Sequence, residues 1–321
     1  MTSLDSSVSN ACEGAAGEGA ATASVNASAP LTPAQIACKE GRAREPYETH
    51  PVSSCGAPEG TPLRALQLVE LDLMERIDAI FKELGLRYYL LGGTLLGAVR
   101  HGGFIPWDDD VDIAMLREDY ERFCSVAHEL PAPYVFEDMF SRRDFTCIYG
   151  KCYDTSTKYV EEKAKDLDIC HGIFLDIFPI DNITLKSRRR QCRIVASLNA
   201  VRCIKQKTVP FKPRHILYLP LLVLSCRTLG RLALREMKRL DGKPTEYVCP
   251  ICQSGTAKPA FRRSMFLDTI SADFEGRPYP IPREYGEYLG GYYKNYMELP
   301  PESSRHPTHG VVEVDLGEAD T

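Results

Sequence analysis

The stretch Tyr88 to Met115, YYLLGGTLLGAVRHGGFIPWDDDVDIAM, constrains the chain more than any other. A short apolar run ends in Gly92-Gly93-Thr94, and a second glycine-rich turn follows. Four aspartates, Asp108, Asp109, Asp110 and Asp112, then lead into the apolar segment Val111 to Met115. In a strand, residues two apart share a face, so Asp110 and Asp112 are expected to project together with Cα atoms about 6.6 Å apart. Val111 and Ile113 then face the core and hold the pair at the sheet edge. Two such carboxylates suit a hard, oxygen-seeking cation, Mg²⁺ or Mn²⁺. A calcium loop does not fit, because the run from Asp108 lacks the glycine at its sixth position and the glutamate at its twelfth. Asp108 and Asp109 read as turn residues as readily as direct participants.

Gly92, Gly93 and Thr94 close a strand and open a helix, where exposed backbone N–H groups suit a phosphate. Further on, Gly172 to Ile180 (GIFLDIFPI) reads as an apolar strand interrupted by Asp176. A carboxylate buried there needs a partner, and a metal shared with Asp110 and Asp112 would supply one. Lys151, in CIYGKCYD, is placed to meet a phosphate oxygen or, equally, to lie along the surface with only its stem buried. Arg100 lies between the glycines and the aspartates, within reach of phosphate or base. Trp107 can stack on a base or cage a quaternary ammonium, although core packing also suits the only tryptophan. Tyr285, Tyr288, Tyr292, Tyr293 and Tyr296 could build such a cage, but four of them share a helical face and packing is the default. His101, His306 and His309 carry weaker signals.

Around this centre the rest of the chain is read for what it adds. Residues 1–30 hold no aromatic residue and no Lys or Arg, so residues 1–60 are expected to be a disordered Ala/Ser/Gly-rich tail without a secretory signal. Thr61-Pro62 caps a helix that Gly85 ends. Strands are expected over Arg87–Leu91, Tyr134–Phe136, Cys147–Tyr153 and Lys158–Val160, with helices over Leu95–Val99 and Arg117–Leu130. The catalytic domain is expected over 61–301, with 302–321 weakly ordered. Twelve cysteines without a signal sequence point to reduced thiols in the cytoplasm. Cys249-Pro250-Ile251-Cys252 has no second close pair to complete a zinc site.

Residues 186–239 stand apart: 15 Lys or Arg against the single acid Glu236, in a chain of net charge −5. An apolar run from Ile216 to Leu224 lies inside this segment. No stacking motif accompanies the charge, so nucleic acid is not expected as a partner. The combination predicts instead a helical insertion in peripheral contact with an anionic membrane, at its inner face.

GGTLLGAVRHGGFIPWDDDVDIAM resembles the signature of the LicD family. GIFLDIFPID and FEGRPYPIPREYGEYLGGYYKNYMELPPE are similar to two further blocks of that family, so the likeness covers most of Arg87 to His309. It implies an α/β (α+β) nucleotidyltransferase-like mixed sheet with flanking helices and the basic insertion. It also implies transfer of a phospho-alcohol, typically phosphocholine from CDP-choline or another CDP-alcohol, to a cell-surface glycan, teichoic-acid or lipid-linked acceptor, with CMP released. Fukutin-type proteins, similar in the same blocks, imply a ribitol-phosphate variant. Carried over by position, Gly93 and Thr94 match the nucleotide-binding turn, and Asp110, Asp112 and Asp176 match the carboxylates that hold two Mg²⁺. Asp176 is the expected general base. The family usually reads Tyr-Gly-Asp-Tyr near the tail, where this chain has Tyr293-Lys294-Asn295-Tyr296. The rival expectations are a glycosyltransferase, whose Asp-x-Asp also binds metal and nucleotide, and a catalytically inactive glycan- or membrane-bound module.

Overall fold

The computed structural model describes residues 56–243, 245–253 and 258–317; the expected tail lies outside them as far as residue 55. Helix α1 (Pro62–Glu83) starts where Thr61 Oγ1 accepts from Arg64 N, with proline in its first turn, and gives way to Gly85 at φ 59°. The short strand β1 (Tyr89–Leu90) leads to α2 (Gly92–His101), which begins at the glycine pair itself rather than at Leu95. This helix also runs two residues past the expected Val99, and Gly102 ends it at φ 71°, a left-handed turn that favours glycine.

The core is a seven-stranded mixed sheet. Its main path runs β1, β2 (Asp112–Leu116), β6 (Ile173–Ile183), β4 (Gly150–Asp154) and β3 (Tyr134–Glu137). All eleven residues of β6 are buried, and the strand runs three residues beyond the expected Ile180. It pairs parallel with β2 and antiparallel with β4; its far end takes β7 (Tyr247–Cys249), which pairs with β8 (Phe261–Arg262). A parallel pair needs a crossover between its strands. Here α3 (Arg117–Val126), β3, β4 and β5 (Lys158–Glu161) lie between β2 and β6 in sequence. This mixed sheet with flanking helices is the α+β architecture expected.

The basic insertion is helical, as expected. It comprises α4 (Leu185–Lys205), a 3-10 stretch (Pro213–Val223) and α5 (Cys226–Met237), with α4 and α5 packed together. Behind it come the hairpin β9 (Thr269–Phe274)–β10 (Arg277–Pro282) and α6 (Tyr285–Tyr293). Residues 302–317 differ from the weak order expected of them, because β11 (Val311–Asp315) pairs antiparallel with β5. Its partner lies some 150 residues upstream, so no local periodicity announces the pairing. Among the described residues no single helix is long and apolar enough to cross a membrane, although the 3-10 stretch and α5 form a bent pair that passes by length and composition.

Candidate active site

The site grows from the register of β2 and β6. Asp112 lies directly opposite Asp176, Asp176 opposite Lys151 on β4, and Lys151 opposite Glu137 on β3. Opposed residues share a face, so one charged row crosses four strands. Lys151 Nζ lies 2.7 Å from Asp176 Oδ1, both side chains almost fully buried, and 3.2 Å from the centre of the Phe174 ring. Burial works against the Lys151 charge, but the Asp176 carboxylate outweighs it and keeps the ammonium protonated. Lys151 is therefore a buried partner of Asp176, and the surface alternative falls away.

The glycines form the wall opposite this row. Gly92 has φ 53°, and a Cβ there would collide with Asp112 Oδ2; a Cβ on Gly93 would come within 2.5 Å of Asp108 Oδ2. Thr94 Oγ1 accepts from Asp112 N at 2.8 Å, and Leu91 N donates to Asp112 O at 3.0 Å. The Gly-Gly-Thr turn thus fixes the aspartate strand as well as opening α2. The N-cap residue of that helix, Leu91, brings no capping side chain.

Asp110 departs from the sequence expectation, because β2 begins only at Asp112 and Asp110 sits in the preceding loop. Strand alternation does not set its direction; the loop does. Gln67 of α1 donates to Asp108 O at 2.9 Å and Ile105 O at 3.4 Å, and Asp108 N donates to Ile105 O. The loop is anchored further by Glu275, which accepts from Phe104 N and pairs with the buried Arg64 at 2.9 Å. In this turn, ligand oxygens of Asp108, Asp109 and Asp110 lie within 4.8 Å of one another. Asp108 and Asp109 are thus part of the acidic group.

The electrostatics follow from crowding. Burial first, and then Asp110, Asp176 and Asp108, pushes the Asp112 carboxyl well above its ordinary range. Asp108 is raised in the same way by burial, Asp110 and Asp109. Asp110 rises to about 6, with burial and Asp176 outweighing His309. Burial also raises Asp176, against the pull of Lys151. Oxygens of Asp108, Asp109 and Asp110 converge in one turn, Asp112 and Asp176 stand opposed in register beside it, and four of these five carboxylates are held against their preferred ionisation; such a set of oxygen donors suits a hard divalent cation.

Two groups enter the site from far away in sequence. His309 places Nδ1 3.2 Å from Asp109 Oδ1 and Nε2 4.0 Å from both Asp110 Oδ2 and Glu161 Oε1. Burial would lower its pKa, yet the Asp109 hydrogen bond and the charges of Asp110, Asp109 and Glu161 raise it to about 9. Burial likewise opposes ionisation of Asp109, but His309 and the Thr308 and His309 N–H groups hold its carboxyl below the usual range. Glu70, on α1, is 3% exposed, and its Oε2 has no hydrogen-bond partner. Burial, then Asp110, Asp108, Asp109 and Asp176, raises it well above the ordinary value. Sequence reasoning passed over Glu70 because it sits on a helix read as core. A carboxylate on the buried face of an amphipathic helix was the available signal.

The other expected residues lie at the rim. Arg100 donates to the carbonyls of Tyr296 and Glu298, at 2.9 and 3.1 Å, and to His101. Trp107 is half-buried, with the Arg305 guanidinium 5.6 Å from its ring centre. Tyr288 and Tyr292 pack on Phe261, while Tyr293 is partly exposed and its hydroxyl is pushed up by burial and by Asp112, Asp108 and Asp110. Of five tyrosines, packing therefore claims Tyr285, Tyr288, Tyr292 and Tyr296, the four expected to share a face, and Tyr293 is the exposed one. His306 is exposed, away from the cluster that His309 joins. Cys249 and Cys252 are buried free thiols, and neither belongs to a group of three metal-ligating side chains among the described residues.

Comparison with known proteins meets this geometry on the same residues. The family described as LicD/FKTN/FKRP, nucleotidyltransferase domain, matches residues 85–210, which contain the whole Asp112–Asp176–Lys151–Glu137 row. The lipopolysaccharide cholinephosphotransferase LicD of Haemophilus influenzae is 31% identical over 267 residues, 77% of this chain and 96% of that protein. The human and mouse ribitol 5-phosphate transferases FKRP are 46% identical over 57 residues, 18% of this chain and 11% of theirs. With nearly the full length of a LicD protein matched and the family's domain spanning the charged row, the chain belongs to the LicD family of phospho-alcohol transferases.

Proposed function

We propose that the protein moves a phospho-alcohol, phosphocholine first among the candidates, from a CDP-alcohol to a hydroxyl of a glycan, teichoic-acid or lipid-linked oligosaccharide precursor, releasing CMP. The observation that carries this reading is the in-register pair Asp112–Asp176 beside the Asp108–Asp110 turn, in a chain matched along nearly the whole of a cholinephosphotransferase. Asp110, Asp112 and Asp176 would hold Mg²⁺ or Mn²⁺, as two ions, with Asp108 beside them. When bound, the ions neutralise the diphosphate and stabilise charge on the attacking and leaving oxygens.

The remaining work falls to the chain. The glycine turn at the start of α2 would orient a phosphate through its backbone N–H groups. Lys151 engages one oxygen of Asp176 and fixes that carboxylate, which would take the proton of the acceptor hydroxyl beside the ions it helps to hold. As the new O–P bond forms, the P–O bond to CMP breaks and CMP departs with the electron pair. Protonated His309 offers a positive charge at the opposite side of the turn. Arg100 and Trp107 flank the entrance, where the nucleotide base or the alcohol would lie.

Contact with an anionic membrane belongs to the same reading. Ile216, Leu217, Leu219 and Val223 of the 3-10 stretch are 56, 85, 50 and 84% exposed, within the segment that carries the excess of Lys and Arg. The deciding experiment is CMP release from CDP-choline, CDP-ribitol and CDP-glycerol, with Mg²⁺ and a panel of glycan and lipid-linked acceptors. CMP formed only with an acceptor supports the proposal. UDP released from a sugar nucleotide would replace it with glycosyl transfer, and the absence of turnover with every donor would point to an inactive module.

A further inference from the structure

A second concentration of charge lies outside the aspartate site. A cavity of about 740 Å³ opens between the C-terminal half of α4, the start of α5 and residues 139–144. Arg142, Arg143, Arg202, Lys205 and Arg227 line it against one carboxylate, Asp144. Arg142 is committed to Glu137, at 2.7 Å. None of the other four cations is ion-paired with a carboxylate among the described residues.

Arg202 is the unusual member. It is 1% exposed, yet its hydrogen bonds go to neutral acceptors: Phe145 O at 2.7 Å, Asn199 Oδ1 at 3.0 Å and Cys147 O at 3.4 Å. Its Nε is buried with no acceptor. A buried guanidinium without a counter-charge is costly to hold, and burial lowers its proton affinity accordingly. Gly230 of α5 packs nearby, where a Cβ would sit 3.3 Å from Met139 Sδ and 3.8 Å from Arg202 Nε. The same cavity is edged by Ser225 and Cys226 at the N-terminus of the twelve-residue α5, where Ser225 Oγ accepts from Thr228 N at 3.0 Å and the first turn holds no acidic side chain.

We propose that this cavity binds a phosphoryl or pyrophosphoryl group, with Arg202 as its buried floor, Arg143, Lys205 and Arg227 as its rim, and the start of α5 closing one side. Arginine forks and a helix N-terminus are the groups that recognise phosphate oxygens. The segment bonded to Arg202, Phe145 to Cys147, runs on into β4 and Lys151, so a bound anion would be tied by a few residues of backbone to the charged row of the aspartate site. In the transferase reading, on which only this assignment of role rests, the group is a phosphate of the acceptor, carried on a lipid headgroup or on a soluble ester.

The test separates binding from catalysis. The full chain is titrated calorimetrically with pyrophosphate in EDTA, where the aspartates without a cation repel the ligand. Saturable binding is expected. In the rim variant Arg143→Gln/Arg227→Gln, both positions being exposed, the affinity should fall at least about tenfold. Asp110→Asn, which would abolish transfer, should leave the affinity unchanged, so failure of the transferase reading and failure of the pocket give different results. Sedimentation with phosphatidylcholine vesicles, with and without phosphatidic acid, distinguishes the sources. Recruitment by phosphatidic acid that the rim variant loses assigns a lipid phosphate; pyrophosphate binding without recruitment assigns a soluble ester. No saturable pyrophosphate binding, or binding that survives the rim substitutions, overturns the proposal.

Discussion

The aspartate turn and the α4–α5 hairpin each gather charges of one sign, but they hold them differently. At the aspartate turn the carboxylates are fixed by main-chain register, by the glycine wall and by Gln67 and Glu275 behind the loop. Burial raises Asp108, Asp110, Asp112, Asp176 and Glu70, and neighbouring carboxylates add to it at all but Asp176, so the frame holds the charges against their own preference. On the hairpin most cations are exposed and keep their solvation; Arg202 is the buried exception. Repulsion in a rigid frame marks a place that awaits a ligand of opposite charge, whereas exposed repulsion marks a surface that can meet one loosely. The comparison therefore predicts large effects of single substitutions at the turn and small ones on the hairpin.

The largest effect should come from Asp110→Asn. In the function proposed above Asp110 holds a catalytic cation, and losing such a ligand forfeits several kcal/mol of transition-state stabilisation, about a thousandfold in kcat at 1.36 kcal/mol per decade. The fold should survive, read by circular dichroism, since the loop is anchored elsewhere. A variant within tenfold of the parent would remove Asp110 from the chemistry.

Lys151→Met attacks the frame instead. It leaves Asp176 buried without its partner, and breaking such a pair costs about 3–5 kcal/mol. Urea unfolding of the metal-free protein should show that loss, while Arg227→Gln on the hairpin should move stability by no more than about 0.5 kcal/mol. Similar losses in the two variants would collapse the distinction between the regions. The Asp181–Arg117 pair, further along β6 at 2.7 Å and equally buried, is a useful second point because it lies outside the acidic cluster. Its rupture should lower stability without changing cation affinity.

Most of the frame was legible because it is local. Thr61-Pro62, the amphipathic α1, the Gly-Gly-Thr turn, the aspartate run and the apolar β6 each announce themselves within a dozen residues. Asp112 and Asp176 could be nominated together because each is a carboxylate at the edge of, or within, an apolar strand. The misreadings were of reach. Asp110 was assigned a strand direction although its strand starts two residues later. His309 folds back onto Asp109 across 200 residues, and β11 finds β5 over a similar span. Such contacts leave no periodic trace, because they are decided by the completed sheet. Glu70 was hidden differently, by a helix whose pattern otherwise says core.

His309 offers a pH test of that distant contact. Its folded pKa, raised from the ordinary 6.5 to about 9, means that the folded state binds the proton more tightly than the unfolded chain. The resulting stabilisation is fully present below 6.5 and is lost as pH rises through 9. Its size is about 3 kcal/mol at 1.36 kcal/mol per unit. Thermal unfolding of the wild type should therefore decline between pH 6.5 and 9 more steeply than that of His309→Gln. Parallel curves would mean that the histidine does not close onto Asp109 in solution.

The most discriminating effect concerns Glu70. Its carboxyl is raised by burial and by the aspartates, which is the opposite sign of linkage from a salt-bridged acid. In the metal-free protein the folded state holds the Glu70 proton above the ordinary value of 4.5, so stability is undiminished below that pH. It falls as pH rises toward the folded pKa, by at most about 1.4 kcal/mol per pH unit. Glu70→Gln keeps the shape and stays neutral, so it should be more stable than the wild type at neutral pH in EDTA, by a margin that widens with pH. Saturating Mg²⁺ should narrow that margin, because a cation at the turn relieves the repulsion that Gln has already removed. A margin that ignores Mg²⁺ would separate Glu70 from the aspartates and return it to the core of α1. A Gln variant less stable than the wild type throughout would mean that the ionised carboxylate has a favourable partner, and the turn would no longer be a frame that strains its charges.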